Sequence, residues 1–356
     1  MRISNIVLGE MRAPLRMPFK TALREVTELR ELTVRIECPD GAFGVGSVVP
    51  TVAITGDSEA KILEDFQSIT GQLINAAYVD SHEWQQSLNP SVPYSNSALC
   101  AFDIAMCDLM ARRAAVPLWK WLGGVQARPL ETNMTISVDT PEVMAFRAQE
   151  AVARGFSSLK IKVGMHAELD KERVVAIRKV IDPSVSLRLD ANQGWGESEA
   201  LELMNWFSIH CAPLDFIEQP VPAQQIAALA RLTQGSNAVV VADESAMTYE
   251  QAAEVIRTSA ATALSVKLSK AGGLLNAKKI LDLALAHNVP CLMSCMFEAG
   301  AGLQAAVHLA SVHPAVKWVD LDPLEYLTSV PYSGGAHFSG PHIRCSEGVG
   351  LAIDAL

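Results

Sequence analysis

Residues 187–219 read LRLDANQGWGESEALELMNWFSIHCAPLDFIEQ, a short apolar strand, a helix-like stretch and a second apolar strand. Each strand ends in an acid, Asp190 in the first and Glu218 in the second. Residues 197–210 place apolar side chains at helical spacing, so the stretch predicts one strand–helix–strand unit. Because such units build parallel sheets, the pattern predicts an α/β protein.

The same unit repeats along the chain on both sides of this stretch. Helix-like segments such as 141–155 separate the strands, with start and stop signals at Thr140–Pro141 and Gly155. Eight strand candidates result, at 132–137, 159–163, 187–192, 215–219, 239–244, 264–269, 291–296 and 317–322. Eight regularly connected strands favour a closed barrel. An open doubly wound sheet is the alternative, but no Gly-x-Gly-x-x-Gly follows the first strand.

The chain before the barrel has a different pattern. Alternating segments at 31–38 and 42–48 flank the turn Pro39-Asp40-Gly41, and a helical stretch follows at 95–114. Strands followed by helices indicate a separate α+β layer. The predicted domains are a capping domain at 1–125, completed by the C-terminal tail 325–356, and a catalytic barrel at 126–324.

Bulk composition excludes several classes of protein. The 356 residues are 49% hydrophobic and 19% charged, which allows a large buried interior. A formal charge of −10 without lysine or arginine runs argues against nucleic acid and anionic membranes as partners. The N-terminus lacks a signal-peptide core, and no apolar stretch is long enough to span a bilayer. The seven cysteines contain no Cys-x-x-Cys pair, so we expect a reduced, cytoplasmic protein.

Charged residues stand where the predicted strands end, which is where barrels of this kind carry their chemistry. In chain order they are Lys160, Lys162, Asp190, Glu218, Asp243, Lys267, Asp320 and Asp322. The acids Asp190, Glu218 and Asp243 come from three adjacent strands and would raise one another's pKa unless a cation lay among them. Oxygen ligands without histidine or cysteine favour Mg²⁺. The alternative for any one acid is helix capping or pairing with a lysine.

Two lysines flank this set of acids. Lys162 and Lys267 lie four strands apart, half of an eight-stranded ring, so they are predicted to face each other across the mouth. Lys160 shares a strand face with Lys162, and burial with nearby positive charge is expected to lower a lysine pKa towards neutrality. A metal that holds a substrate carboxylate stabilises the enediolate formed when the α-proton leaves. One lysine on each face could then invert the carbon, although pairing of the lysines with acids is the simpler alternative.

Five motifs resemble those of the muconate-lactonizing subgroup of the enolase superfamily. They are LKIKVG (159–164), LDANQGW (189–195), IEQP (217–220), VADES (241–245) and VKLSKAGG (266–273). The resemblance covers essentially the whole chain and implies a modified TIM barrel, (β/α)₇β, with an N-terminal α+β capping domain. It also implies one Mg²⁺ per subunit on Asp190, Glu218 and Asp243, acid/base roles for Lys162 and Lys267, and supporting roles for Lys160 and Asn192.

Further segments resemble the dipeptide epimerases of that subgroup. Asp320-Leu-Asp322 resembles the pair of acids that holds the substrate's α-ammonium group. The segment PFKTALREVTEL (18–29) resembles the 20s loop, in which an arginine matching Arg24 binds a glutamate side-chain carboxylate. Thr135 matches a polar position of those sites. Glu298, after the seventh strand, is expected either to line the pocket or to cap a helix.

The sequence thus predicts an isomerase, a Mg²⁺-dependent dipeptide epimerase with L-Ala-D/L-Glu as the leading substrate. We expect a homo-oligomer, and family analogy implies a role in peptidoglycan recycling. Two rivals stay open within the subgroup, a cycloisomerase and an N-acylamino acid racemase. A rival of another class is a non-catalytic, metal-dependent binding protein.

Overall fold

The computed structural model describes residues 1–21, 24–76 and 84–353. Its strands are β1 (Asn5–Lys20), β2 (Glu25–Glu37), β3 (Phe43–Val48), β4 (Leu130–Glu131), β5 (Met134–Ile136), β6 (Ser158–Lys162), β7 (Ser186–Asp190), β8 (Leu214–Glu218), β9 (Val240–Ala242), β10 (Ala263–Val266), β11 (Cys291–Ser294), β12 (Val316–Asp320), β13 (His337–Ser339) and β14 (His342–Arg344). Its α-helices are α1 (Val52–Thr55), α2 (Glu59–Asn75), α3 (Asn96–Arg113), α4 (Leu118–Trp121), α5 (Pro141–Ala153), α6 (Ala167–Val180), α7 (Glu197–His210), α8 (Ile226–Gly235), α9 (Tyr249–Arg257), α10 (Leu268–Ala271), α11 (Leu274–Ala286) and α12 (Ala301–Val312). Short 3₁₀ helices lie at Trp84–Ser87, Glu244–Ala246 and Pro323–Tyr326.

The parallel strands β5 to β12 pair in sequence order and form the barrel sheet. A bridge between Thr132 and Val319 joins its two edges, so the sheet is nearly closed. Helices follow the first seven strands, which confirms the predicted (β/α)₇β barrel and excludes an open doubly wound sheet. Several strands are shorter than predicted because polar residues at their ends, such as Asp243 and Asp322, lie beyond the hydrogen-bonded ladder.

The interior of the barrel is divided into an apolar and a polar half. Barrel interiors of this class are usually filled by branched apolar side chains. Here the strands β8 to β12 supply the apolar half, which consists of Phe216, Val241, Ala263, Leu292 and Trp318. The strands β6 and β7, together with the residue before β5, supply the buried polar side chains Lys160, Arg188 and Asn133.

The capping layer is the antiparallel sheet β1–β2–β3 packed on α3. The helix begins after Ser95, whose hydroxyl accepts the Ala98 N–H at 3.3 Å. Thirteen of its 18 residues are buried because it lies between this sheet and the helices α10 and α11 of the barrel. A Cβ at Gly46 would lie 1.9 Å from the Ala101 carbonyl oxygen, so glycine permits this approach.

The capping layer is attached to the mouth of the barrel at one buried acid. The carboxylate of Glu31, on β2, accepts N–H bonds from Ala299 and Gly300 at 2.9 Å each, at the start of α12. Its other oxygen accepts a bond from the Ser47 hydroxyl on β3. These contacts fix the loop that follows β11 beneath the capping layer.

The C-terminal tail runs back along the molecule. Strand β14 pairs with β4, and the Gly350 carbonyl accepts the Leu118 N–H at 2.9 Å. The domain limits at residues 125 and 324 remain predictions. In the described ranges the seven cysteines are free thiols, and no helix is long and apolar enough to cross a membrane.

Candidate active site

A cavity of about 60 Å³ opens at the carboxyl ends of the barrel strands, next to the end of β1 and the start of β2, where Phe19, Thr21 and Arg24 line it. It brings together eight of the predicted site residues, which are Arg24, Thr135, Lys160, Lys162, Asn192, Lys267, Asp320 and Asp322. The three predicted metal ligands, Asp190, Glu218 and Asp243, are fully buried at this mouth and contact the lysines that line the cavity. Of the predicted 18–29 loop, residues 22–23 lie outside the described residues.

The acids and lysines at the strand ends alternate in direct contact. The Lys160 ammonium lies 3.1 Å from Asp190 and 2.7 Å from Glu218. Lys162 lies 2.5 Å from Asp190, and Lys267 lies 2.5 Å from Asp243. As these side chains stand, no three acids, histidines or cysteines of the described chain meet closely enough to hold a metal ion. Each prospective ligand is instead in contact with a lysine.

The chemistry of this cluster nevertheless fits a divalent cation. Both carboxylate oxygens of Glu218 are buried and have no well-aligned hydrogen bond within the described residues, the Lys160 ammonium being an ion-pair contact; burial, with the charge of Asp190, raises the pKa of Glu218. The cluster contains six acids and four lysines, so two negative charges are in excess when all ten groups are ionised. The acids are Asp190, Glu218, Asp243, Glu244, Asp320 and Asp322, and the lysines are Lys160, Lys162, Lys267 and Lys270. Oxygen ligands with this charge suit Mg²⁺.

Without a bound cation, the pKa of Lys267 is raised rather than lowered. Burial does lower the pKa of Lys267, but the charges of Asp243 and Glu218 outweigh it and the net pKa is raised. Lys160 behaves in the same way, with Asp320, Glu218 and Asp190 raising its pKa against burial. A cation bound by these carboxylates would offset the charge that keeps the lysines protonated.

Asn192 contacts two members of this cluster. Its backbone adopts a φ of 44°, a left-handed conformation that asparagine tolerates better than most residues. In this position its N–H donates to Asp190 at 3.0 Å, and its side-chain oxygen accepts from Lys162 at 3.3 Å. The residue therefore orients both a prospective metal ligand and a prospective base.

Sequence reasoning missed several residues of the site, among them Lys270 and Gln219. Lys270 is buried, donates to the carbonyl oxygens of Asp243 at 2.7 Å and Ser265 at 2.9 Å, and contacts the Asp243 carboxylate. The side-chain oxygen of Gln219 accepts the N–H groups of Asp243 and Ser245, at 2.9 and 3.1 Å. Both lie within quoted motifs, and the three-residue spacing of Lys267 and Lys270 was the available signal, since one helical turn brings them together.

The opposite wall of the cavity is acidic. Asp320 ends β12, whereas Asp322 lies beyond it, so strand alternation does not explain why the two acids meet. Both contact Thr135, whose N–H donates to Asp322 at 2.6 Å and whose hydroxyl lies 3.4 Å from Asp320. Burial, with the charge of Asp320, raises the pKa of Asp322 to about 7.

Arg24 reaches the cavity from the capping layer. Its guanidinium donates to the Thr51 hydroxyl and to the Met296 carbonyl, at 3.0 Å each. It forms no ion pair with any acid of the described ranges, and burial lowers its pKa. Glu298 neither lines the cavity nor caps α12; it accepts the Met296 N–H at 2.5 Å, and burial raises its pKa to about 7.

Comparison with known proteins gives a consistent result. Residues 3–123 match the model of the mandelate racemase/muconate lactonizing enzyme N-terminal domain, and residues 143–355 match the enolase C-terminal domain-like model. The chain is 36% identical over 361 residues to the L-Ala-D/L-Glu epimerase of Clostridium acetobutylicum, covering 100% of this chain and 99% of that protein. A substrate-liganded complex of the L-Ala-D/L-Glu epimerase from Bacillus subtilis superposes with a TM-score of 0.95, at 35% identity and 99% coverage of both chains. The dipeptide epimerase from Enterococcus faecalis V583, complexed with Mg and L-Leu-L-Tyr, gives a TM-score of 0.94 at 31% identity and 100% coverage of both chains.

Proposed function

The chain belongs to the mandelate racemase/muconate lactonizing enzyme family of the enolase superfamily, and from this premise we propose that it is a Mg²⁺-dependent dipeptide epimerase. One observation carries the proposal. The cavity that contains Lys162 and Lys267 also presents a guanidinium, Arg24, and a carboxylate, Asp322, neither of which forms an ion pair within the described residues. This set complements a substrate with an ammonium group and an acidic side chain, as in L-Ala-D/L-Glu.

The two lysines would exchange the α-proton of the second residue of the dipeptide. Lys162 ends β6 and Lys267 follows β10, four strands apart in the ring, so the two would approach the substrate from different sides. The neutral amine of one lysine takes the proton from the α-carbon, and the ammonium of the other returns a proton to the opposite face. Substrate and product then differ in configuration alone, and the lysines exchange protonation states.

The remaining residues would bind and orient the substrate. Asp190, Glu218 and Asp243 would hold the divalent cation, which supplies positive charge beside the substrate's carboxylate as the α-proton leaves. Arg24 would bind the glutamate side-chain carboxylate, and the wall formed by Thr135, Asp320 and Asp322 would face the α-ammonium group. These assignments are supported by the shared cavity and by the charges of the residues.

Deuterium exchange tests the proposal directly. The enzyme is incubated with Mg²⁺ in D₂O with a library of L-Ala-L-X dipeptides, and mass and configuration are followed together. An epimerase should incorporate one deuteron at the second residue and invert it. A matched control is the double variant Lys162→Met/Lys267→Met, which should not exchange.

Adding N-acylated amino acids to the same screen tests the rivals. An N-acylamino acid racemase would exchange N-acylated amino acids and leave free-amine dipeptides unchanged, and a cycloisomerase would exchange neither. A binding protein would show no exchange with any compound. Either pattern, exchange of N-acylated amino acids alone or no exchange at all, would contradict the proposal.

The cellular setting follows by family analogy. We infer that the enzyme works in the cytoplasm as a homo-oligomer, acts on small dipeptides rather than nucleic acid or membranes, and contributes to peptidoglycan recycling. The net charge of −10 supports the absence of anionic partners. Light scattering coupled to size exclusion measures the oligomeric state, and a monomer would contradict that part.

A further inference from the structure

The loop that joins β11 to α12, residues 295–300, is bound by the capping layer at two places. Near its start, the Met296 carbonyl accepts a hydrogen bond from the Arg24 guanidinium at 3.0 Å. At its end, two consecutive backbone N–H groups donate to the Glu31 carboxylate at 2.9 Å each. Arg24 immediately precedes β2 and Glu31 lies within it, so one segment of the capping layer holds the loop on both sides.

Helix α12 takes its N-terminal cap from the capping layer. Its own N-cap residue, Gly300, has no side chain that could accept the free N–H groups of the first turn. The Ser47 hydroxyl accepts the Gly302 N–H at 2.9 Å and itself donates to Glu31. A Cβ at Gly302 would lie 2.9 Å from Glu298 Cγ and 3.2 Å from the Ser47 carbonyl oxygen, so glycine permits this approach. Two side chains of the capping layer thus do what an N-cap side chain usually does.

The Glu31 carboxylate is bound by neutral donors. Its side chain is 0% exposed, and no lysine or arginine of the described ranges forms an ion pair with it. Burial raises the pKa of Glu31, whereas the bonds from Ser47 and from the N–H groups at the start of α12 lower it. Because a buried acid that loses its donors is destabilising, moving the loop away from Glu31 is unfavourable. Glu31 therefore resists displacement of the loop relative to the capping layer.

The residue between the two attachments is strained and lines the cavity. Phe297 has a φ of 89°, a region that residues other than glycine rarely adopt. Its ring lies 4.7 Å from that of Phe19 and 5.4 Å from that of Tyr326, between centroids. Such a conformation persists only where the surrounding structure holds it. Glu31 binds the loop two and three residues further on, and so contributes to that hold.

We propose that Glu31 is a positioning residue of the active site: by binding the start of α12 it fixes the loop 295–300, so that the Met296 carbonyl holds Arg24 beside the cavity. Glu31 does not itself line the cavity. The proposal rests on the proposed function, because it acts through the guanidinium that would bind the side-chain carboxylate of the substrate.

An effect that passes through Arg24 has a kinetic signature that a loss of stability lacks. The side-chain carboxylate of the substrate keeps its charge during proton transfer, so its binding should contribute equally to the bound substrate and to the transition state. Weakening it raises KM and leaves kcat nearly unchanged. A loss of folded enzyme would instead lower kcat with every substrate and leave KM unchanged.

The experiment compares Glu31→Leu with Glu31→Gln, using L-Ala-L-Glu and L-Ala-L-Leu at saturating Mg²⁺. Glu31→Leu removes the acceptor and should raise KM for L-Ala-L-Glu at least about tenfold, while KM for L-Ala-L-Leu and both kcat values change less than about threefold. Glu31→Gln keeps an oxygen for the two N–H groups and should stay within about threefold of the wild type. The matched control is Glu28→Leu, at an exposed glutamate of the same strand, which should leave all four constants unchanged.

A double-mutant cycle tests whether the effect passes through Arg24. In an Arg24→Met background, Glu31→Leu should change KM for L-Ala-L-Glu less than about threefold, because the guanidinium that the loop holds is already absent. If Glu31→Leu does not fold, Ser47→Ala replaces it in the cycle. Ser47→Ala removes the donor to Glu31 and the acceptor for the Gly302 N–H, and should raise KM for L-Ala-L-Glu alone by about threefold.

Hydrogen exchange measured by mass spectrometry examines the loop without any substrate. The backbone amides of residues 299–302 should exchange at least about tenfold faster in Glu31→Leu than in the wild type or in Glu28→Leu. The proposal is overturned if this amide exchange is unaltered, if both dipeptides lose kcat equally with KM unchanged, or if the effects of Glu31→Leu and Arg24→Met on KM multiply. A wild-type enzyme that incorporates no deuterium into any free-amine dipeptide would refute the proposed function, whereas the amide exchange tests the hold of Glu31 on the loop independently.

Discussion

The guanidinium of Arg24 allows a quantitative prediction for substrate preference. Within the described residues, two of its five N–H groups are used, by Thr51 and Met296, which leaves three for a ligand. That is enough for a bidentate bond to a glutamate side chain. Two charge-assisted hydrogen bonds contribute about 3 to 6 kcal/mol in total, or roughly a hundredfold to ten-thousandfold in kcat/KM.

We therefore expect Arg24→Met to lower kcat/KM for L-Ala-L-Glu by at least about a hundredfold, and for L-Ala-L-Leu by less than about tenfold. Arg24→Lys should lie between, because a lysine supplies the charge without the planar fork. The assay is the initial rate of deuterium incorporation with each dipeptide at saturating Mg²⁺. An equal loss with both dipeptides would show that Arg24 supports the loop rather than the substrate.

The other predictions concern the lysines, the metal and pH. Lys162→Met should abolish proton exchange for one stereoisomer, while the other stereoisomer still exchanges through Lys267. Mass spectrometry of each pure isomer in D₂O measures this difference, and equal exchange of both isomers would contradict the two-base arrangement. Removing Mg²⁺ with EDTA should lower the melting temperature, since a ligand at about 100 times its Kd stabilises by about 2.7 kcal/mol; an unchanged melting temperature would argue against the carboxylate site. Lys270→Met should lower the free energy of unfolding by about 1–3 kcal/mol, because it removes one of the two ammonium groups paired with the buried Asp243 and a donor to the Ser265 carbonyl, whereas the exposed Lys279→Met should change it little; urea denaturation measures both. The pKa of Asp322 is raised from about 4 in the unfolded chain to about 7 in the folded protein, so between these pH values the folded protein holds a proton that the unfolded chain has lost. The contribution of Asp322 to the free energy of unfolding therefore falls as pH rises from about 4 to about 7. Asp322→Asn should reduce this decline, and urea titrations at several pH values that show an unchanged slope would refute the prediction.

The sequence determined the barrel and most of the residues at its mouth. Side chains alternate along a strand and the strand–helix unit repeats, so the residue that ends each strand faces the same cavity in every unit. This local regularity is why Lys162, Asp190, Glu218 and Lys267 could be placed without a structure. Their neighbours in sequence also carried the family motifs.

Tertiary structure alone decided how these charges are partnered. Asn133 and Asp320 are 187 residues apart and meet because the barrel closes between β5 and β12. The link from Glu31 to the start of α12 likewise depends on how the capping layer is seated. No local pattern encodes such contacts, since they depend on which strands become neighbours, and the pKa values at the site follow from those partners rather than from the residues themselves.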